Sequence, residues 1–181
     1  MKATGIVRRM DDLGRVVIPK EIRRTLRIRE GDSLEIYTEE GGGVVFRKYS
    51  PMGEMEDLAA RYSRILTQMT GFSALVCDRD RVVAVGSAAL RRVFLEKPLS
   101  KELSHCLFER ELYAAGRDSH ALLVVEGENR PVRCLCPILC AGDVMGGVLL
   151  LQPSETTLPA GEAEQALTRA AARFLGAQLE E

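Results

Sequence analysis

Apolar and polar positions change period several times along this chain, and each period predicts an element. Ser33 to Thr38 alternates, with Leu34 and Ile36 on one face, and Val44 to Lys48 forms a second such run. Gly41-Gly42-Gly43 lies between them and predicts a β-hairpin. From Glu54 to Thr70 the period lengthens. Met55, Leu58, Tyr62, Ile65 and Met69 step by three, four, three and four, with Ala59 and Leu66 widening the stripe and Gly71 as a stop. That seam is too short for a lone coiled coil but long enough to pair in a dimeric bundle. Strands are expected at Ser73–Cys77, Val82–Val85, Ala121–Val125, Val132–Ile138 and Val144–Leu151. Helices are expected at Lys101–Tyr113, started by Ser100, and at Pro159–Leu179, where Leu167, Ala170, Ala171, Phe174 and Leu175 share an apolar side. This order predicts an α+β arrangement, an antiparallel sheet with helices packed on it.

The first fifty residues read differently. Thr4–Arg8 and Arg15–Ile18 predict short strands around a turn at Asp11-Asp12-Leu13-Gly14, and Pro19 fits the first position of a helix. Ile22, Leu26 and Ile28 give that helix a thin apolar stripe, and Glu30-Gly31-Asp32 ends it. So few large apolar side chains make a marginal core for one copy, and dimerisation through a shared sheet is the expected remedy. Tyr49-Ser50-Pro51-Met52-Gly53 breaks the pattern. The expected domains are 1–50, a linker and seam helix over 51–71, and 72–181.

Charge changes the picture most. The 181 residues carry 25 basic and 26 acidic side chains, yet nine basic and only three acidic ones fall between Met1 and Arg29. A basic head on an acidic body points to an anionic partner, most plainly nucleic acid. No apolar run reaches the ~18 residues of a membrane span, and the N-terminus lacks the apolar core of a secretory signal. A cytoplasmic protein is expected, with its five cysteines as reduced thiols.

The run Gly5-Ile6-Val7-Arg8-Arg9 followed by Leu13-Gly14-Arg15-Val16-Val17-Ile18-Pro19-Lys20-Glu21-Ile22-Arg23-Arg24-Thr25-Leu26 resembles the AbrB-type DNA-binding domain of transition-state regulators. The resemblance implies a swapped-hairpin homodimer whose interleaved strands form a small β-barrel. It implies that Arg8, Arg15, Arg23 and Arg24 contact DNA, with Lys20 among them, and that the partner is AT-rich promoter DNA read by shape. Arginine suits the task, because its planar fork binds phosphate bidentately and enters a narrow minor groove. Further on, Cys136-Pro137-Ile138 and Gly142-Asp143-Val144-Met145-Gly146-Gly147-Val148-Leu149-Leu150 are similar to the strand pair of GAF domains. Joined in this order, the two domains are similar to a family of sporulation regulators of spore-forming bacteria. That resemblance implies a tetramer, with heads pairing and second domains meeting through their helices, and control of forespore genes, some activated and some repressed. The expected seam is Met55, Leu58, Tyr62, Ile65, Met69, Leu167 and Phe174.

Enzyme chemistry finds little to use. Cys134, Cys136 and Cys140 lack paired C-x-x-C arms, and the only two histidines, His105 and His120, have no nucleophile arrangement around them. No catalytic residue, metal or cofactor is expected, and the cysteines read as small buried strand residues. A cysteine-based redox sensor or enzyme is the alternative on those residues. A second alternative is an antitoxin, because AbrB-like heads occur there too, but residues 54–181 are too apolar and too periodic for a toxin-wrapping tail. A small-molecule effector is expected between the sheet and the segment Ser87–Tyr113, though no motif names it.

Overall fold

A computed structural model describes residues 4–116, 120–153 and 159–180 and divides the chain into two units, Met1–Tyr49 and Ser50–Glu181. In the first, Leu34–Glu39 (β1) and Gly43–Lys48 (β2) form an antiparallel hairpin in register from Leu34↔Lys48 to Glu39↔Gly43. Gly41 and Gly42, at φ 108° and 84°, make its turn. Lys20–Thr25 forms helix α1, entered through Pro19 at φ −58°. The helix stops six residues on: Leu26 caps it, and Arg27 swings to φ 54° so that the Ile28 N–H donates to the Arg23 carbonyl at 2.7 Å. The expected stop at Glu30-Gly31-Asp32 was therefore too late.

Residues 4–8 and 15–18, expected as strands, form no strand within the chain. Their β-branched side chains favour a ladder, but the hairpin supplies no edge that they pair with. No described residue of this unit is fully buried. Val7, Leu13, Val17, Ile36 and Val44 are 86%, 69%, 73%, 62% and 59% exposed.

The second unit opens with two helices, Pro51–Glu54 (α2) and Glu56–Thr70 (α3), the latter closed by Gly71 at φ 73°. Among the described residues five strands come after them: Ala74–Asp78 (β3), Val82–Val85 (β4), Tyr113–Ala114 (β5), Val132–Cys140 (β6) and Asp143–Leu151 (β7). Their order is β4-β3-β7-β6-β5, with every pairing antiparallel. Lys101–Phe108 (α5), preceded by the short helix Arg91–Phe94 (α4), covers one face of the sheet, and α3 with Glu162–Gln178 (α6) covers the other.

The unbroken apolar run at Val148-Leu149-Leu150-Leu151 stems from that sandwich, because a strand buried on both faces has no polar side. Leu149 and Leu151 join Phe94, Leu99, Leu103 and Leu107 in one core. Val148 and Leu150 join Met52, Ala59, Leu66, Ala171, Ala172 and Leu175 in the other. Both helices of the second face sit close against the sheet. A Cβ at Gly86 would meet the Ser63 carbonyl of α3, and one at Gly176 the Leu139 carbonyl of β6.

Three expectations fail against this fold. The helix begun by Ser100, whose hydroxyl accepts the Leu103 N–H at 3.0 Å, ends at Phe108 and not Tyr113, and Arg110 turns to φ 58°. The segment Ala121–Val125 is no strand, and its one bridge is Leu123 to Pro131. Ser100 diverts its carbonyls, the hydroxyl donating to Leu123 O at 2.6 Å and the N–H to Val124 O at 2.8 Å. Finally, the space between the sheet and Ser87–Tyr113 is filled by Phe94, Leu99, Leu103 and Leu107, each at most 2% exposed. The effector pocket expected there is occupied by core.

Candidate nucleic-acid interface

The basic side chains of the first unit stand on a local frame that two aspartates build. The Asp11 carboxylate accepts the Leu13 N–H at 3.1 Å and the Arg15 N–H at 2.7 Å, while Asp11 and Arg15 also join through backbone at 3.0 Å. Gly14, at φ 74°, lets the chain reverse within those five residues. The same carboxylate holds Arg15 Nε at 2.7 Å. The Arg15 backbone bond first, then its side chain, keep the Asp11 carboxyl below its ordinary range, so it stays ionised and Arg15 stays aimed. Asp32 does the second job. It accepts the Arg29 N–H at 2.8 Å and pairs with Lys48 at 2.9 Å, and Lys48 also donates to the Arg27 carbonyl at 3.2 Å. The segment leaving α1 is thereby tied to β2.

Arg8, Arg15, Lys20, Arg23 and Arg24 are all exposed. Lys20, Arg23 and Arg24 come together on α1, with Arg23 and Arg24 three and four residues beyond Lys20, so they neighbour it on the helix surface. Arg15 closes the Asp11 reversal, and Arg8 lies on the arm leading into it. Among the described residues no carboxylate is within ion-pair distance of Arg8, Lys20, Arg23 or Arg24. Four cations without local counter-charge, on one short span, form a surface suited to phosphate. The sequence reading missed the two aspartates that position this surface, although Asp11-x-x-Gly14-Arg15 carried the signal of a side-chain-closed turn.

The seam residues divide. Met55, Leu58, Tyr62 and Leu167 are half-buried against the core, whereas Ile65, Met69 and Phe174 are 47%, 63% and 38% exposed. Tyr62 stacks on Phe174 with ring centroids 4.8 Å apart, so α3 and α6 present one shared apolar face. The cysteines are all free thiols. Burial is the largest influence on Cys77, Cys106, Cys134 and Cys136 and pushes each thiol up, which keeps it protonated and a poor nucleophile. His105 and His120 are exposed. Among the described residues no His, Cys, Asp and Glu group is arranged to hold a metal, and no helix is long and apolar enough to cross a membrane.

Comparison with known proteins decides what the two units make together. Residues 54–180 match the family described as stage V sporulation protein T C-terminal, transcription factor. Along its whole length the chain is 44% identical to the full-length stage V sporulation protein T of Bacillus subtilis (strain 168). The chain belongs to the stage V sporulation protein T family. As a member it is a sporulation transcription regulator, with an AbrB-like head and a GAF-like second domain. Its first part is 59% identical over 51 residues to the transition state regulatory protein AbrB of the same organism, a match covering 28% of this chain and 52% of that one. Residues 7–53 also match a family described as antidote-toxin recognition MazE, bacterial antitoxin. That match ends with the head, and the remainder of this sporulation regulator is a folded unit with two cores, not a toxin-wrapping tail. Among solved structures, the GAF domain/HD domain protein of Geobacter sulfurreducens aligns at a TM-score of 0.49 and 20% identity, covering 69% of this chain and 91% of that one.

Proposed function

We propose that this regulator binds double-stranded, AT-rich promoter DNA through Arg8, Arg15, Lys20, Arg23 and Arg24, and that it does so as a homo-oligomer, up to a tetramer. Residues 1–50 act as the head, 51–71 as linker and seam helix, and 72–181 as the GAF-like domain. The observation that carries this reading is the pairing of an exposed basic cluster, in which Arg8, Lys20, Arg23 and Arg24 have no carboxylate partner among the described residues, with a unit that fully buries none of its described residues. Such a head needs a second copy for its core and an anion for its surface. The unpaired arms 4–8 and 15–18 fit strands that complete a swapped-hairpin barrel only across two chains. The protein is not an enzyme in this reading, and it works in the cytoplasm, activating some forespore genes and repressing others. Mapping bound promoters in sporulating cells, with transcript levels in a deletion strain, tests it. Bound promoters whose transcripts move in both directions support it, and a map without promoter enrichment overturns it.

Assembly is testable apart from DNA. Met55, Leu58, Tyr62, Ile65, Met69, Leu167 and Phe174 form the proposed seam between second domains. Ile65 is already 47% exposed in the single chain, so Ile65→Asp leaves the domain's own core untouched. In an apolar seam the carboxylate would lose its hydration, at a cost on the order of several kcal/mol per ion. Light scattering should show the higher oligomer falling to a dimer held by the heads. Full mass in a folded variant would place the interface elsewhere.

A further inference from the structure

A cleft of about 470 Å³ runs beside α6, on the open side of β6. Its origin is in the sheet. Strand β5 is two residues long and pairs only with Cys134 and Leu135, so among the described residues no strand lies beside the outer edge of β6 from Cys136 to Leu139. The chain after α5 crosses that gap instead, bringing Arg110 and Leu112 to the cleft. The floor is apolar: Leu112 and Leu139 are 61% and 44% exposed and stand with Pro137. The walls are cationic. Arg110, Arg169 and Arg173 line the cleft, and among the described residues none has a carboxylate within ion-pair distance. The lining carboxylate, Glu180, is engaged by the Ala141 N–H at 3.1 Å. Arg169 and Arg173 are one turn apart on α6 and so lie side by side.

These features select a ligand class. An uncompensated arginine pair recognises a carboxylate bidentately. An apolar floor beside it favours a ligand with a compact apolar body over a bare inorganic anion. A peptide strand is disfavoured, because Pro137 removes one donor from the open edge. At about 100° per residue, Arg169 and Arg173 fall on the flank of α6 away from Leu167 and Phe174, so the seam leaves the cleft open. We propose that this cleft is a binding site for a small organic carboxylate, with Arg169 and Arg173 on the carboxylate and Leu112, Pro137 and Leu139 on its apolar body. The site does not depend on the DNA-binding reading.

The test is calorimetric titration of the full chain with three probes: phenylacetate, its uncharged isostere phenylacetamide, and inorganic phosphate. The acid should bind at least about tenfold tighter than either the amide or phosphate. Arg169→Gln with Arg173→Gln should weaken the acid by about tenfold or more at an unchanged melting temperature, since both side chains are exposed. The matched control Arg91→Gln with Arg92→Gln, on α4, should bind like the wild type. Should the arginine variant melt lower, Ala177→Trp fills the cleft without removing a charge and should abolish acid binding. No heat with the acid, equal affinity for acid and amide, equal affinity for acid and phosphate, or acid binding kept by either cleft variant would each overturn the proposal.

Discussion

Replacing Arg23 and Arg24 with alanine should weaken promoter binding by about a hundredfold or more while leaving the fold in place. Each guanidinium–phosphate interaction contributes roughly 1.5–3 kcal/mol as a charge-assisted hydrogen bond, and the variant forgoes two per head. Neither side chain has a carboxylate partner among the described residues, so no ion pair inside the protein disappears with them. Helix α1 buries nothing and gains two residues of the highest helix propensity, which offsets the missing interaction of two cations with its C-terminal end. The second readout is salt. The log–log slope of affinity against salt should flatten by ~0.9 for each phosphate that is no longer neutralised. Arg23→Lys with Arg24→Lys separates charge from shape: the slope should persist while affinity falls, because an ammonium cannot make the bidentate contact. Unchanged affinity and slope in a folded double-alanine variant would remove α1 from the interface.

Why some of this was legible in the chain and some was not comes down to where the partner of each segment lies. The hairpin β1–β2 was plain because alternation and the glycine turn are local. Strand β7 was plain because a strand buried on both faces must read as an apolar run. The apolar stripe of α3 was legible, but a stripe does not say which of its residues turn inward. Tyr62 and Leu167 lean on the core while Ile65 and Met69 face out, a division set by where α6 packs. Residues 4–8 and 15–18 carry strand propensity without a ladder inside the chain, and propensity alone cannot supply the second edge. Ala121–Val125 failed for the opposite reason: its hydrogen bonds are claimed by Ser100, some twenty residues upstream. The cleft left no motif at all, because Arg110 and Arg169 are brought together only by the shortness of β5.

Arg133→Met should destabilise the second domain by about 3–5 kcal/mol. Arg133 is 6% exposed and joins β6 to the entry of α6. Its Nε and Nη2 reach Glu164 at 2.7 and 3.1 Å, Nη1 reaches Gln152 Oε1 at 3.1 Å, and Nη2 also donates to the Pro159 carbonyl at 2.9 Å. The guanidinium lies 4.1 Å from the centre of the Phe72 ring. Methionine keeps the apolar packing on Phe72 but leaves a half-buried carboxylate and the 1%-exposed Gln152 without this donor. Thermal unfolding should show a melting temperature lower by on the order of 10 °C or more. Adding Glu164→Leu should recover most of the loss, because removing both charges of such a pair costs far less than removing one. Acid gives an independent check. Burial opposes ionisation of Glu164, but the Arg133 hydrogen bond, the Gly161 N–H and the Arg133 charge outweigh it and hold the carboxyl below its ordinary 4.5. A carboxylate with a lowered folded pKa stabilises the fold above its unfolded pKa, and that contribution is lost as pH falls through the folded value. The gap between wild type and Arg133→Met should therefore be steady near neutrality and narrow below about pH 4.5. A gap that ignores pH, together with a double variant no better than the single, would mean that Arg133 acts through its bonds to Gln152 and Pro159 and its cation over the Phe72 ring, and not through the pair with Glu164.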